Sequence, residues 1–189
     1  SGAIGQNGIE VVLTAAADLV NGTTATDVVH GVFGSTDATL TAGDTIDLAG
    51  GTLDTLDLVV NGATASAAVV VKNTEIINIQ DTVGATFNAL LVENSPAINF
   101  TNTQTGLTST VTSASTGSTF GLAGKGNLTV DFASTSGSAD TAKVSLNGAG
   151  TSTSARSTVN VSDTNTVEAV TIATAGTNFV TLVGGSVDA

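Results

Sequence analysis

The chain contains no cysteine, methionine, tryptophan or tyrosine, one proline, and only six phenylalanines among 189 residues. Zero cysteine excludes disulfides and thiolate metal sites, and with His30 as the single histidine a zinc cage is disfavoured. A compact globule of this length normally fills its centre with bulky aromatics. A thin architecture that buries small branched side chains layer upon layer needs fewer of them. Basic residues are also scarce. Lys72, Lys125, Lys143 and Arg156 are scattered against sixteen acidic residues, giving a net charge of −12 and a pI near 4.1. Phosphate neutralisation needs clustered cations, so nucleic acid is not an expected partner, and the same argument disfavours an anionic membrane surface. No apolar run reaches transmembrane length, so direct membrane insertion is not expected. No signal peptide is visible, so a secretion address would lie outside this segment, which opens at Ser1 like a processed or excised piece.

The composition is dominated by small and branched residues. Hydrophobic residues make up 41%, enough for a core built from Val, Leu, Ile and Ala. Helical periodicity is almost absent. The stretch 9–20 (IEVVLTAAADLV) is the best helix candidate, but its strand-prone start reads as a strand followed by a turn. Elsewhere short β-rich runs alternate with Gly, Asn, Asp, Ser and Thr. Examples are LDLVVNG at 56–62, AAVVVKN at 67–73, EIINIQD at 75–81, AINFTN at 97–102 and NLTVDFA at 127–133. AKVSLNG at 142–148, STVNVSD at 157–163, EAVTIAT at 168–174 and NFVTLVGG at 178–185 continue the series. The expected fold class is all-β, an irregular parallel β-solenoid with short strands, with a β-sandwich as the alternative. Residues 101–119 are mostly Ser and Thr and read either as a disordered tract or as rungs with small hydroxyls outside.

A longer internal repeat overlies the short one. Asp54-Thr55, a strand, Asn61-Gly62-Ala63, a valine-rich strand and Glu75 with alternating apolar residues recur from Asp140-Thr141 through Asn147-Gly148-Ala149 to Glu168. The chain divides on this reading into an N-terminal strand with an acidic Gly/Asp-rich region (1–62) and solenoid rungs (63–189), with 54–79 partly repeated at 140–172.

Seven of the twelve aspartates fall before residue 58: Asp18, Asp27, Asp37, Asp44, Asp47, Asp54 and Asp57. Two carboxylates about 5 Å apart repel by roughly 3 kcal/mol at an effective dielectric near 20. Several packed into tight turns disfavour folding unless a cation sits among them, and Ca²⁺ accepts about 6–8 oxygens in flexible geometry. Glycines such as Gly43, Gly50 and Gly51 would permit the sharp turns. The plainer reading is ordinary turn chemistry, in which each Asp caps its own backbone.

GDTIDLAGGTLDTLDL, at 43–58, resembles the repeats-in-toxin segment of calcium-binding secreted proteins. The wider order, TDVVHGVFG, ATLTAGDTIDLAGG, DTLDLVVNG and KNTEIINI, with DTAKVSLNGAG and VEAVTIATAGTNFVTL later, is similar to the surface-layer proteins of Gram-negative bacteria. Leu53 occupies the third glycine position and Asp54 comes one residue early, and one nonapeptide-like copy exists, so a regular calcium roll is not expected. The resemblance implies separate calcium sites within a self-assembling surface array, and type I secretion. The candidate ligands are Asp27, Asp44, Asp54 and Asp57, then Asp47, Asp140 and Glu75, with Glu168 last.

An enzyme is not expected. His30, in VVHGVF, is the only base a Ser-His-Asp triad could use, nothing resembles a nucleophile elbow, and the bland reading is a buried or edge histidine. Paired carboxylates could serve a glycosidase, but the aromatic platforms for sugar rings and the basic groups for acidic substrates are nearly absent. Asn21, Asn99, Asn127 and Asn160 head Asn-x-Ser/Thr sequons, which a chain this rich in Ser and Thr produces by chance. The expected function is structural: an extracellular subunit or segment of a calcium-dependent surface array or filament whose partners are its own copies, with a cell-surface polysaccharide as a candidate anchor. The rivals are the stalk or binding module of a secreted adhesin, and a pilin-like subunit that donates Ile9 to Thr14 to a neighbouring sheet.

Overall fold

The structure is a computed structural model and describes residues 7–34, 36–135, 139–161 and 167–184. It is a parallel β-solenoid with no helix among the described residues. Eight strands stack in one large sheet: β1 (Glu10–Val12), β3 (Val28–Gly34), β5 (Thr55–Asn61), β7 (Ile76–Asp81), β9 (Ala97–Asn102), β11 (Thr119–Gly124), β13 (Thr141–Ala149) and β15 (Ala169–Ala175). The alternate strands form the opposite wall. A three-stranded sheet holds β2 (Leu19–Asn21), β4 (Thr45–Asp47) and β6 (Val70–Lys72). A five-stranded one holds β8 (Thr86–Asn88), β10 (Thr108–Ala114), β12 (Asn127–Phe132), β14 (Ser157–Asn160) and β16 (Val180–Val183). All pairings between these strands are parallel, which rules out the sandwich. The strand β1, at 10–12 within the segment 9–14, pairs with β3 of its own chain.

The alternation of side chains along each strand decides which residues line the interior. In β3, VVHGVFG, the pattern puts Val29, Gly31 and Phe33 inside and His30 outside. Val11, Val29, Leu56, Ile77, Ile98, Phe120, Val144 and Ile172 form one column through the large sheet. Of these, Val29 through Val144 are buried. Successive members lie 18 to 28 residues apart, so the rung is irregular in length while its register is kept. Val, Leu and Ile do most of the filling, and Phe33, Phe87, Phe100, Phe120 and Phe132 are also buried. Phe120 and Phe132 meet edge to face at 5.7 Å, and Phe33 and Phe87 lie 6.2 Å apart.

Strand expectations and structure agree closely at 97–102, 127–133 and 142–148. The stretch 9–20 is a strand, a turn and the start of a second strand. The Ser/Thr tract supplies β10, with Ser109 and Val111 inside and Thr108, Thr110 and Thr112 half-buried on the other face. Residues 162, 163 and 185, at the ends of two expected strands, lie outside the described residues. The large sheet runs without a break across residue 62, where the composition changes.

Both end turns keep partly buried apolar residues, Ile9 and Val11 at the first and Val170, Val180 and Leu182 at the last. At the first turn Leu13 and Val20 are buried, 2% and 5% exposed. There the segment 39–40 turns back on β3: the Thr39 and Leu40 amides donate to the Val32 carbonyl, and the Val32 amide donates to Thr39 Oγ1. That segment takes the edge of β3 which β1 leaves after Val12. At the last turn Ile172 is 43% exposed and residues 171–177 are all exposed.

Candidate functional site

The candidate acids do not converge on one centre. They fall into separate columns because β4 and β5 belong to different walls, so Asp44 and Asp47 are carried away from Asp54 and Asp57. Asp27, Asp54 and Glu75 form one column, at the corner just before β3, β5 and β7. The Ile9 amide donates to Asp27 Oδ1 (2.8 Å), the Asp27 amide to Asp54 Oδ1 (2.7 Å), and the Asp54 amide to Glu75 Oε2 (2.8 Å). Each carboxylate thus satisfies a backbone N–H of the turn before it. Pro96 takes the next place in the column, and the ladder of carboxylates stops there.

Local sequence builds these corners. Thr23 donates its amide to Asp27 Oδ2 (2.6 Å) and its hydroxyl to Oδ1 (3.0 Å). Thr41 does the same for Asp44 (2.7 and 3.1 Å), and Thr14 for Asp18 (2.7 and 3.1 Å). Asp44 Oδ1 also accepts the Asp18 amide at 2.8 Å. The signal in the sequence is a threonine three or four residues ahead of an aspartate, at 14–18, 23–27 and 41–44. Carboxylate repulsion is met here by amides and hydroxyls, which is the turn chemistry of short polar side chains. Although burial alone would raise it, the Thr23 amide, the Ile9 amide and the Thr23 hydroxyl hold the Asp27 carboxyl below its ordinary range. Asp47 is held low by the side-chain amide of Asn73 (2.7 Å), then by the Ala49 amide, against burial and with help from Lys72.

Asp54 is different. It is fully buried and its Oδ2 has no hydrogen-bond partner of good geometry. Burial pushes its carboxyl above the usual range and the charges of Glu75 and Asp27 add to this, against bonds from the Asp27 and Gly51 amides. Gly51 is pressed onto the group: a Cβ there would lie 2.4 and 2.5 Å from the two Asp54 oxygens.

The internal repeat reappears as matched bonding. The Glu75 and Ile76 amides both donate to the Asp54 carbonyl (3.1 Å each), while the Asp54 amide donates to Glu75. In the second copy the Glu168 and Ala169 amides donate to the Asp140 carbonyl (3.0 and 3.1 Å), and the Asp140 amide donates to Glu168 Oε2 (2.8 Å). Asp140 Oδ2, like Asp54 Oδ2, is buried without a partner. The shared Asp and Glu of the two copies are therefore a clasp between successive turns.

Asp57 sits on the outer face of the large sheet, in register with His30, Asn78 and Asn99. Asn99 Nδ2 donates to Asn78 Oδ1 (3.2 Å) and Asn78 Nδ2 to Asp57 Oδ1 (2.9 Å). His30 Nε2 lies 3.1 Å from Glu10 Oε1 and Nδ1 lies 3.9 Å from Asp57 Oδ2. The histidine is half-exposed on the outer face of an inner strand, between two carboxylates. A groove of about 520 Å³ runs over this ladder, lined by His30, Asp57, Val59, Asn78, Gln80 and Thr101 among others.

One buried acid escapes sequence reasoning altogether. Asp81 is fully buried and accepts the amides of Val83, Gly84 and Ala85 (2.9 Å each) and the Ser109 hydroxyl (2.7 Å), with Asn102 Nδ2 bonded to that hydroxyl. It is the last residue of β7, followed by Thr82-Val83-Gly84-Ala85, and only the turn geometry reveals its role. Among the described residues, no three His, Asp or Glu side chains are grouped as a ready metal cage.

No family model, curated protein or solved structure matches this chain.

Proposed function

We propose that the chain is a structural, non-catalytic subunit of an extracellular surface array, working by association with its own copies. One observation carries this reading: the described residues form a stack of parallel turns whose buried acids are spent on holding one turn to the next, a fold that grows by repetition. The disposition of acids supports the structural role, since Asp27, Asp44 and Asp54 bind main-chain amides of neighbouring turns. Calcium enters this proposal between copies, through outward carboxylates such as Asp57 and Glu75, while the buried acids hold the rungs. Light scattering over a range of concentrations, with calcium and then with a chelator, tests it. Concentration-dependent association that chelation weakens is expected. A monomer under every condition removes the assembly function, and association indifferent to calcium removes the ion from it.

A binding-module reading has one observation in its favour, the groove beside His30, Asp57 and Asn78. A panel of cell-surface polysaccharides screened for chemical-shift changes at His30 separates it from the array. Shifts confined to that face, with a monomeric protein, favour a binding module.

A further inference from the structure

The outer face of the large sheet carries a candidate site on the flank of the stack, independent of the association proposed above. We infer that this face binds a linear, uncharged polysaccharide, laid along the solenoid axis from β3 to β13. The groove of about 520 Å³ beside His30 and Asp57 does not stop at β9. A second depression of about 280 Å³ continues it over β11 and β13, and Thr101 lines both. Each strand from β3 to β13 is paired on both sides within the large sheet, so the face does not depend on the end turns.

The lining decides the class of ligand. Asn78, Asn99 and Ser145 stand in one outer row, with Gly121 between Asn99 and Ser145. Gln80, Thr101 and Asn147 stand in the next, with Ala123 between Thr101 and Asn147. From β7 to β13 these rows offer hydrogen-bonding side chains and no charge, which suits a ligand rich in hydroxyls. Asn99 donates to Asn78 and Asn78 to Asp57, which holds the carboxamides in line. A carboxamide has two N–H donors and the ladder uses one of each, leaving the second for a ligand. Gly121 makes the room in which Asn99 lies, since a Cβ at 121 would sit 2.2 Å from Asn99 Oδ1. The rows repeat at every strand, about 4.8 Å along the axis, so the ligand must repeat its hydroxyls along its own length. A linear polysaccharide does so. A peptide would find the N–H and C=O groups of these inner strands already paired. An anionic glycan or a nucleic acid would meet Asp57 and a net charge of −12. The Phe100 ring beneath the groove is buried, so no phenyl ring is offered to a sugar face and affinity must come from chain length.

Chemical-shift titration of the full chain reads the side-chain amide signals of Asn78, Gln80 and Asn99 directly. The probes are neutral linear glucan, mannan and galactan oligosaccharides of graded length, with oligogalacturonate as the charged control. Titration in chelator keeps calcium-dependent association from covering the face, so failure of the array leaves this test standing. At least one neutral series should shift those signals. Its Kd should fall as the chain lengthens and level off once the chain spans the groove, about 24 Å for the strand spacings from β3 to β13. Asn78→Ala should weaken the longest chain by about three- to tenfold. Thr101→Arg, at the junction of the two depressions, should reduce it to the affinity of the shortest. Thr129→Arg, on the outer face of the opposite wall, should leave it unchanged. Backbone amide shifts away from the groove verify each fold, and the length dependence of the unaltered chain reads the site independently should a variant unfold. No shift with any neutral series, or shifts without length dependence, overturns the site. Tighter binding of oligogalacturonate than of the neutral chains, or an equal loss in Thr129→Arg, overturns it as well.

Discussion

Replacing Asp54 by asparagine should stabilise the protein at neutral pH, against the usual direction of a buried substitution. Asp54 lies between Asp27 and Glu75 in a column of parallel turns, spaced by about 4.8 Å. At an effective dielectric near 20, each such pair repels by roughly 3 kcal/mol at most. Glu75 is exposed and the charge on Asp27 is screened by three donors, so the realised repulsion is a fraction of that. Asparagine keeps an oxygen for the Asp27 amide and removes the unpartnered carboxylate oxygen. The bond it keeps is no longer charge-assisted, a loss of about 1 kcal/mol. The net gain is about 1–2 kcal/mol at pH 7, or roughly 2–8 °C in melting temperature for a chain of this length. The pH dependence follows from the raised pKa. A group that binds its proton more tightly when folded contributes stability that is fully present below its unfolded value, near 3.9, and is lost as pH rises through the folded value. The wild type should therefore gain stability as pH falls from neutral toward about 4. Below that the lowered Asp27 and Asp47 act in the opposite sense and stability falls. Thermal melts between neutral and mildly acidic pH read both effects. A lower melting temperature for Asp54→Asn at pH 7, or an acid gain as large as the wild type's, would refute the reasoning.

Asp81→Ala strands three backbone amides and the Ser109 hydroxyl in a buried turn, and should cost about 3–5 kcal/mol in chemical denaturation, with Asp81→Asn recovering part of it. Phe120→Ala removes a fully buried ring and its edge-to-face contact with Phe132; a loss of about 3–5 kcal/mol is expected in the same assay. Gly124 adopts a φ of +96° with a virtual Cβ 2.2 Å from the Asn102 carbonyl oxygen. Gly124→Ala should consequently destabilise by more than about 1 kcal/mol, and a neutral result in thermal melts would contradict the close approach of these turns. Lys72→Ala breaks a half-exposed pair with Glu93 at 3.2 Å and should change stability by less than about 1 kcal/mol.

The alternation of apolar and small polar residues, with Asn, Asp and Gly between the runs, is enough to specify short strands and to exclude helices. The strand at 97–102 is legible to the residue because its pattern is unambiguous. The repeat linking Asp54 with Asp140 and Glu75 with Glu168 is legible too, since the same acids recur at the same places in the pattern. Alternation also settles the face of each side chain once the strand is known, which is why Val29 and Phe33 point inward and His30 outward. What a strand pairs with lies beyond that local pattern. Turn lengths of 18 to 28 residues leave the stacking partner open, and only the three-dimensional register sets Asp27 beneath Asp54 and sends Asp44 to another wall. Proximity in sequence suggested one acidic cluster before residue 58, whereas the parallel coil converts a separation of 21 to 27 residues into contact and a separation of three into opposite faces. The partners of the carboxylates were hidden for the same reason, because backbone amides carry no signature in a sequence. The cover that Thr39 and Leu40 give to the edge of β3 likewise depends on where the loop at 39–40 lands. Local chemistry determined the rungs, and the stacking decided which charges meet and which are buried.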